Sequence, residues 1–146
     1  MRTTSGRAGT EGPPAAVLER FAEARVARLA MISTGGPRLV PVTFAWHRGT
    51  VVWAVDRVKP KRPGPLRRMR DLAADPRVAL LVDHYAEDWT GLWWVELQGT
   101  AATLEGPAAE AALDALAERY PAYRADRPPG PVVAVAPRRW AWWSAS

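Results

Sequence analysis

Closely spaced turn signals divide residues 27–55 into three short apolar segments, and this limits the choice of fold more than any other feature. The first break is Gly35-Gly36-Pro37 and the second is Arg48-Gly49, and both are sequences that favour tight turns. Strands joined by short turns pair with each other in antiparallel fashion. The sequence therefore predicts an antiparallel meander. Its three strands are Ala27–Ser33, Arg38–His47 and Thr50–Val55.

The second of these strands is apolar on both faces. Side chains alternate between the two faces of a strand, yet Val40, Val42 and Phe44 as well as Leu39 and Ala45 are apolar. Such a strand is covered on both sides. Pro41 has no N–H to donate to a neighbouring strand, so we expect this strand to lie at a sheet edge or beside a bulge. An edge leaves backbone groups available to a ligand or to a second subunit.

The remaining pattern completes an α+β barrel that is mainly β, rather than a doubly wound sheet. We expect residues 1–10 to be disordered and residues 11–146 to form a single domain with six antiparallel strands and two to three helices. Gly99 is expected at a bulge or a close approach of two backbones. The predicted elements are a helix after Gly12-Pro13-Pro14, a helix over Pro65–Ala74, strands over Arg77–Tyr85 and Leu92–Leu104, a helix over Pro107–Tyr120, a loop over Pro121–Pro131 and a strand over Val132–Trp143.

The composition excludes several kinds of chemistry. The chain of 146 residues has no cysteine, which rules out disulfides, thiolate metal sites and a cysteine nucleophile, so redox chemistry would need a bound cofactor. His47 and His84 are the only histidines, and we expect no metal site. No Rossmann or P-loop glycine motif and no nucleophile elbow occurs. With no membrane span or signal-like segment, we expect a cytoplasmic protein.

The charge distribution favours an anionic ligand. The formal net charge is +5, and residues 57–70 are dense in lysine and arginine with no acid before Asp71. This window indicates either an anion site or an exposed basic face. Nucleic-acid binding is a third interpretation that rests on this window and the basic pI alone, because no RNA- or DNA-binding motif accompanies them.

Eight tryptophans are the other compositional signal. Trp93 and Trp94 are adjacent on one predicted strand, so one faces the core and the other a partner surface or a planar ligand. The tryptophans therefore indicate either core and dimer interface or direct stacking on a ligand. An aromatic, apolar groove beside lysine and arginine is what a flavin phosphate requires, since the ring needs a flat slot and the tail needs cations.

A succession of segments carries a resemblance to a known family. In order and spacing the chain resembles the pyridoxamine 5'-phosphate oxidase-like superfamily, and within it the deazaflavin (coenzyme F-420)-dependent oxidoreductases of actinobacteria. The resemblance covers roughly residues 27–104. The segments are Leu39–Phe44, Val51–Asp56, Lys59-Pro60-Lys61, Leu66-Arg67-Arg68 and Asp75–Leu80, followed by Leu81–Tyr85, Asp88-Trp89, Leu92–Val95 and Gly99-Thr100-Ala101.

The resemblance implies a homodimeric, FMN-binding-like split β-barrel whose cofactor sites lie at the subunit interface. It implies an oxidoreductase in which reduced coenzyme F-420 passes a hydride to a small organic substrate, with FMN as the alternative cofactor. A non-catalytic protein that binds FMN or haem is the rival interpretation. No side chain is an evident catalytic acid or base. The implied cofactor contacts are Pro41, Val42 and Thr43 at the ring, Trp53 and Ala54 beside it, Lys59 and Lys61 at the phosphate, Arg67 and Arg68 at the acidic tail, and Trp140 from the partner chain.

The chain also departs from the family pattern. The longer basic strand motif and the extended C-terminal substrate region of true pyridoxamine phosphate oxidases are absent, which argues against pyridoxine metabolism. Lys59-Pro60-Lys61 differs from the Ser-Arg-Lys form common in FMN binders. This difference leaves the choice between F-420 and FMN open.

Overall fold

The structure is a computed structural model that describes residues 2–58 and 66–146. The described residues form eight strands and four α-helices, with a short 3₁₀ turn at Trp89–Gly91. The elements are β1 (Thr4–Ala8), α1 (Ala15–Glu23), β2 (Ala27–Ser33), β3 (Gly36–Val42), β4 (Ala45–His47), β5 (Thr50–Ala54), α2 (Arg67–Ala74), β6 (Arg77–His84), β7 (Trp93–Leu104), α3 (Gly106–Arg119), α4 (Pro121–Ala125) and β8 (Val132–Ser144).

All eight strands belong to one antiparallel sheet whose two ends are consecutive in the chain. The strand order is β3-β2-β6-β7-β8-β5-β4, and β1 pairs with β8 outside this path. Only Thr43 and Phe44 separate the end of β3 from the start of β4. Because two residues cannot span a flat sheet of seven strands, the sheet must curl until its edges meet. The result is the expected split barrel, and we call the place where its edges meet, at Thr43–Phe44, the seam.

The seam corrects the predicted meander. The strand predicted over Arg38–His47 is interrupted at Thr43–Phe44, so that β3 pairs with β2 whereas β4 pairs with β5. Among the described strands β3 has no second neighbour, which confirms the edge position predicted from Pro41. Alternating apolar residues predict an extended chain, but they do not show where that chain leaves one edge of a sheet and joins the other. This interruption and the additional strand β1 raise the number of strands from six to eight.

The expectation of a disordered N-terminus is wrong for Thr4–Ala8. These residues form β1 and pair with Trp140–Ser144 of β8. The segment has little apolar surface of its own, but backbone pairing with the exposed end of β8 orders it. Gly6 lies opposite Trp142, and a Cβ at Gly6 would stand 2.3 Å from Cζ2 of that indole. The tail therefore packs closely because this position carries no side chain.

The two predicted backbone irregularities are confirmed. Arg48 and Gly49 both have positive φ, 51° and 75°, as a two-residue hairpin turn between β4 and β5 requires. The pairing of β7 with β8 shifts register between Gln98 and Gly99. A Cβ at Gly99 would stand 2.3 Å from the carbonyl oxygen of Ala136, so the two backbones approach here as predicted.

Helices cover the barrel on the outside and at its ends. Phe21 of α1 is fully buried, and Leu113 and Leu116 of α3 are buried against the outer face of β4 and β5. The predicted loop Pro121–Pro131 instead begins with α4, because Pro121 occupies the first turn, where its missing N–H costs nothing. Among the described residues, no helix is long and apolar enough to cross a bilayer.

Candidate functional site

The seam opens into a cavity of about 360 Å³. This volume lies within the range of small-molecule sites. The end of β3, the end of β5, the start of α2 and the segment Tyr120–Tyr123 contribute its walls, and we call it the seam cavity. Its lining residues are Val26, Pro41, Val42, Thr43, Trp53, Ala54, Val55, Asp56, Val58, Arg68, Tyr120, Ala122 and Tyr123.

One wall of the seam cavity is apolar because two strands end there. Pro41 and Val42 come from β3, while Trp53 and Ala54 come from β5. The two strands meet at this point although they do not pair with each other. Since β3 is an edge strand, its outer backbone groups are not used by another described strand. The apolar wall suits a flat ring system, with backbone groups along one side.

Arg68 places a positive charge at the cavity. Its guanidinium carbon lies 5.4 Å from the centroid of the Trp53 ring, within the range of a cation–π contact. Burial in the first place, and then the nearby charge of Arg38, lowers the pKa of Arg68. Arg38 itself is paired with Asp71 at 2.8 Å. Within residues 2–58 and 66–146, Arg68 has no ion pair, so it is a half-buried cation suited to an anionic ligand group.

The opposite wall is polar. The hydroxyl of Tyr123 donates to Oδ2 of Asp56 at 2.6 Å and is joined to Oγ1 of Thr43 at 2.8 Å. Burial first, and then the hydrogen bond to Asp56, raises the pKa of Tyr123 to about 12. The Tyr123 hydroxyl therefore keeps its proton at neutral pH. Oδ1 of Asp56 accepts from the N–H of Val58 at 3.1 Å, which fixes the carboxylate at the end of β5.

Tyr120 holds the seam itself. Its hydroxyl accepts from the N–H of Phe44 at 3.1 Å, and it lies 2.8 Å from the carbonyl oxygen of Arg25. Arg25 also lies over the Tyr120 ring, 4.6 Å from its centroid. Arg119 donates to the carbonyls of Ala22 and Ala24 at the end of α1. These contacts fasten the interrupted strand and α1 to the segment that lines the cavity.

Six of the ten residues predicted from the sequence line the seam cavity together: Pro41, Val42, Thr43, Trp53, Ala54 and Arg68. Arg67 is exposed and lies outside the cavity, with Nη2 3.6 Å from a Cβ built on Gly35. Trp140 is 3% exposed and packs in the core against Phe21 and Trp46. Lys59 and Lys61 lie outside the described residues.

Sequence reasoning missed the polar wall. Asp56, Tyr120 and Tyr123 line the cavity, but none was among the candidate residues. The two tyrosines lie three residues apart, the spacing that places side chains on one face of a helix. The prolines of Pro121–Pro131 predict a loop, and in a loop this spacing indicates no shared face. Recognising Pro121 as the first residue of a helix would have revealed the shared face.

The histidines do not take part in the seam cavity. His47 closes the hairpin between β4 and β5, and His84 is at the end of β6, stacked against Trp93 at 6.2 Å. Across the described part of the chain, no group of three or more His, Asp or Glu side chains could hold a metal ion. The chemistry available in the cavity is therefore that of tyrosine, threonine, a carboxylate and a guanidinium.

Comparison with known proteins agrees with this fold. A family model described as pyridoxamine 5'-phosphate oxidase matches residues 13–144. No curated protein matches the chain.

Similar solved structures share the fold. A conserved hypothetical protein from Mycobacterium tuberculosis is 22% identical with a TM-score of 0.71, over 92% of this chain and 86% of that one. A FAD-binding protein from Mesorhizobium loti is 17% identical with a TM-score of 0.69, over 97% of each chain. A haem-binding protein from Mycobacterium smegmatis is 23% identical with a TM-score of 0.64, over 92% of this chain and 56% of that one.

Proposed function

Because the chain belongs to the pyridoxamine 5'-phosphate oxidase family, we propose that the seam cavity binds a flavin-type cofactor and that this cofactor is the deazaflavin coenzyme F-420. When bound, the coenzyme supplies a hydride for the reduction of a small organic substrate. FMN is the alternative cofactor. The protein's part is to orient the ring system and to exclude water from it.

The observation that carries the proposal is Arg68 beside an apolar slot. The half-buried guanidinium of Arg68 has lost part of its hydration, and among the described residues the charge of Asp56 attracts it without forming an ion pair. A phosphate or carboxylate of a ligand offers charge-assisted hydrogen bonds at this point. The apolar wall formed by Pro41, Val42 and Ala54 then accommodates the ring. A flavin-type cofactor carries both chemical features in one molecule.

The remaining predicted contacts extend this arrangement. We propose that Lys59 and Lys61 hold the phosphate, since they follow β5 within the same basic window as Arg68. Arg67, exposed at the start of α2, then meets the acidic tail of F-420. We also propose a homodimer, in which the second copy completes the open side of the cavity. Leu39 on the edge strand β3 is 71% exposed, which suits a surface covered by a partner.

The second candidate is a binding protein without turnover. Similar structures include a FAD-binding protein and a haem-binding protein, and a shared fold does not by itself establish catalysis. Haem is disfavoured here because neither His47 nor His84 lines the seam cavity, and the hydroxyls of Tyr120 and Tyr123, which do line it, are already engaged in hydrogen bonds within the chain. A flavin-type ligand without catalysis remains the stronger form of this alternative.

Titration separates these cofactors. Purified protein is titrated with oxidised F-420 and separately with FMN, while tryptophan fluorescence is followed. Because Trp53 lines the cavity, we expect saturable quenching that is reduced in Trp53→Phe but kept in Trp89→Phe, whose indole is exposed outside the cavity. Quenching by neither compound would contradict the proposal. Oxidation of reduced F-420 by a panel of electron-poor compounds then distinguishes an enzyme from a binding protein.

Charge reversal tests the phosphate contacts. Replacing Lys59 and Lys61 together by glutamate should abolish cofactor binding while the unfolding midpoint is preserved, because like charges repel the phosphate without altering the core. Unchanged cofactor affinity in this double variant would rule out the assignment of these two lysines.

A further inference from the structure

The polar wall of the seam cavity contains a hydrogen-bond chain whose direction can be derived. It runs from Asp56 through Tyr123 to Thr43, with oxygen–oxygen distances of 2.6 Å and 2.8 Å. All three residues line the cavity. Each hydroxyl in the chain has one hydrogen to donate, whereas an ionised carboxylate has none. Counting hydrogens therefore fixes which oxygen donates at each link.

The single hydrogen of Tyr123 is committed to Asp56, because the carboxylate can only accept. The raised pKa of Tyr123, about 12, is consistent with a hydroxyl that keeps this proton. Thr43 must then donate its own hydrogen to the Tyr123 oxygen. The Thr43 hydroxyl has no hydrogen left for a ligand, and towards the cavity it presents lone pairs only.

We propose that Thr43, held as an acceptor by Tyr123 and Asp56, selects a cofactor ring that presents a hydrogen at this point rather than a lone pair. This inference rests on the proposed function, because it requires a flavin-type ring in the cavity. The central ring of an oxidised flavin has a nitrogen lone pair at the hydride-accepting position, where an oxidised deazaflavin has a C–H group. Two lone pairs facing each other repel, whereas a C–H group against an acceptor does not. Thr43 thereby favours an oxidised deazaflavin over an oxidised flavin.

A pair of ligands differing at this one position tests the proposal. FMN and 5-deaza-FMN share the ring substituents, the ribityl chain and the phosphate. We expect wild-type protein to bind 5-deaza-FMN about tenfold more tightly than FMN, the effect of one unsatisfied polar contact. Calorimetry or the ligand's own absorbance measures both dissociation constants without any turnover.

Two variants remove the acceptor in different ways. Tyr123→Phe frees the Thr43 hydrogen to turn towards a ring nitrogen, so the tenfold preference should disappear through tighter FMN binding. Thr43→Val keeps the shape of the side chain and removes both the donor and the acceptor, so it should also bring the two affinities together. Tyr85→Phe is the matched control, because Tyr85 is 62% exposed and lies outside the cavity, and it should keep the wild-type preference.

The outcomes separate this inference from the proposed function. Wild-type protein that binds neither of these ligands nor F-420 would contradict the proposed function itself. Equal affinity of wild-type protein for the two ligands would overturn the inference about Thr43 while leaving flavin-type binding intact. A tenfold preference that persists in both Tyr123→Phe and Thr43→Val would also overturn it, because selection would then lie elsewhere. If Tyr123 had only a structural role, Tyr123→Phe would weaken the binding of both ligands equally and leave the ratio of their dissociation constants unchanged.

Discussion

The guanidinium of Arg68 lies over the face of the Trp53 indole, 5.4 Å from the ring centroid. Trp53 is 1% exposed, so the ring is a fixed platform for the charge. The contact restricts the rotation of a long side chain before any ligand arrives. An arginine held in this way loses little further freedom when it binds an anion. The geometry therefore favours Arg68 as the contact to an anionic ligand group.

Replacing Arg68 tests this role. In Arg68→Gln we expect the affinity for FMN to fall about tenfold or more, because a charge-assisted hydrogen bond is lost. The affinity for riboflavin, which lacks the phosphate, should fall by less than about threefold. Arg70→Gln is the control, since Arg70 is exposed on the same helix. Equal losses for FMN and riboflavin would show that Arg68 does not bind the phosphate.

Tyr120 stabilises the interruption between β3 and β4. Tyr120→Phe removes the oxygen that accepts from the N–H of Phe44 and leaves this buried donor without a partner. We expect a loss of about 1–3 kcal/mol in the free energy of unfolding, measured by urea denaturation. Cofactor affinity should fall as well, because the seam is a wall of the cavity. A variant as stable as the wild type would mean that water replaces the lost oxygen.

The ionisation of Tyr123 makes stability depend on pH in the alkaline range. Burial and the hydrogen bond to Asp56 raise its pKa from 10.0 to about 12. The folded protein therefore keeps a proton that the unfolded chain releases between these values, so the stabilisation is complete below pH 10 and declines as the pH approaches 12. We expect the difference in unfolding free energy between wild type and Tyr123→Phe to shrink across this window. A constant difference would contradict the raised pKa.

Local features of the fold were predictable from the sequence. Pro41 predicted an edge strand because proline lacks an N–H, and Gly99 predicted a close approach because it lacks a side chain. Both are properties of one residue acting on its immediate backbone. The closure of the barrel was not predictable in this way, because the break at Thr43–Phe44 depends on contacts with Tyr120 and Tyr123 about 80 residues later in the chain.

The candidate site also has one part that the sequence predicts and one part that depends on contacts between distant segments. Its apolar wall and Arg68 follow from segments that resemble the family, and these residues lie together in the cavity. The polar wall depends on α4, which lies in a segment whose prolines predict a loop. It also depends on Asp56, which contributes because its carboxylate accepts a hydrogen bond from Tyr123. The resemblance implies that Trp140 contacts the cofactor from the partner chain, whereas within its own chain Trp140 packs in the core against Phe21 and Trp46. Composition alone does not distinguish a tryptophan in the core from one that contacts a ligand.

Gly99 provides a test of the β7–β8 bulge. A Cβ there would stand 2.3 Å from the backbone oxygen of Ala136 and 2.9 Å from Cγ1 of Val135. A backbone oxygen cannot rotate aside as a side chain can, so Gly99→Ala must separate the two longest strands of the sheet or shift their register. Overpacking of this kind costs about 1–3 kcal/mol in the free energy of unfolding, to be measured by urea denaturation.

Gly91→Ala is the matched control, because its Cβ would meet only Cβ of Ala86, at 3.7 Å, an ordinary contact. We expect that control to stay within about 0.5 kcal/mol of the wild type. Equal stability of the two variants would contradict the close approach, because the strands would then have room for a methyl group at the bulge.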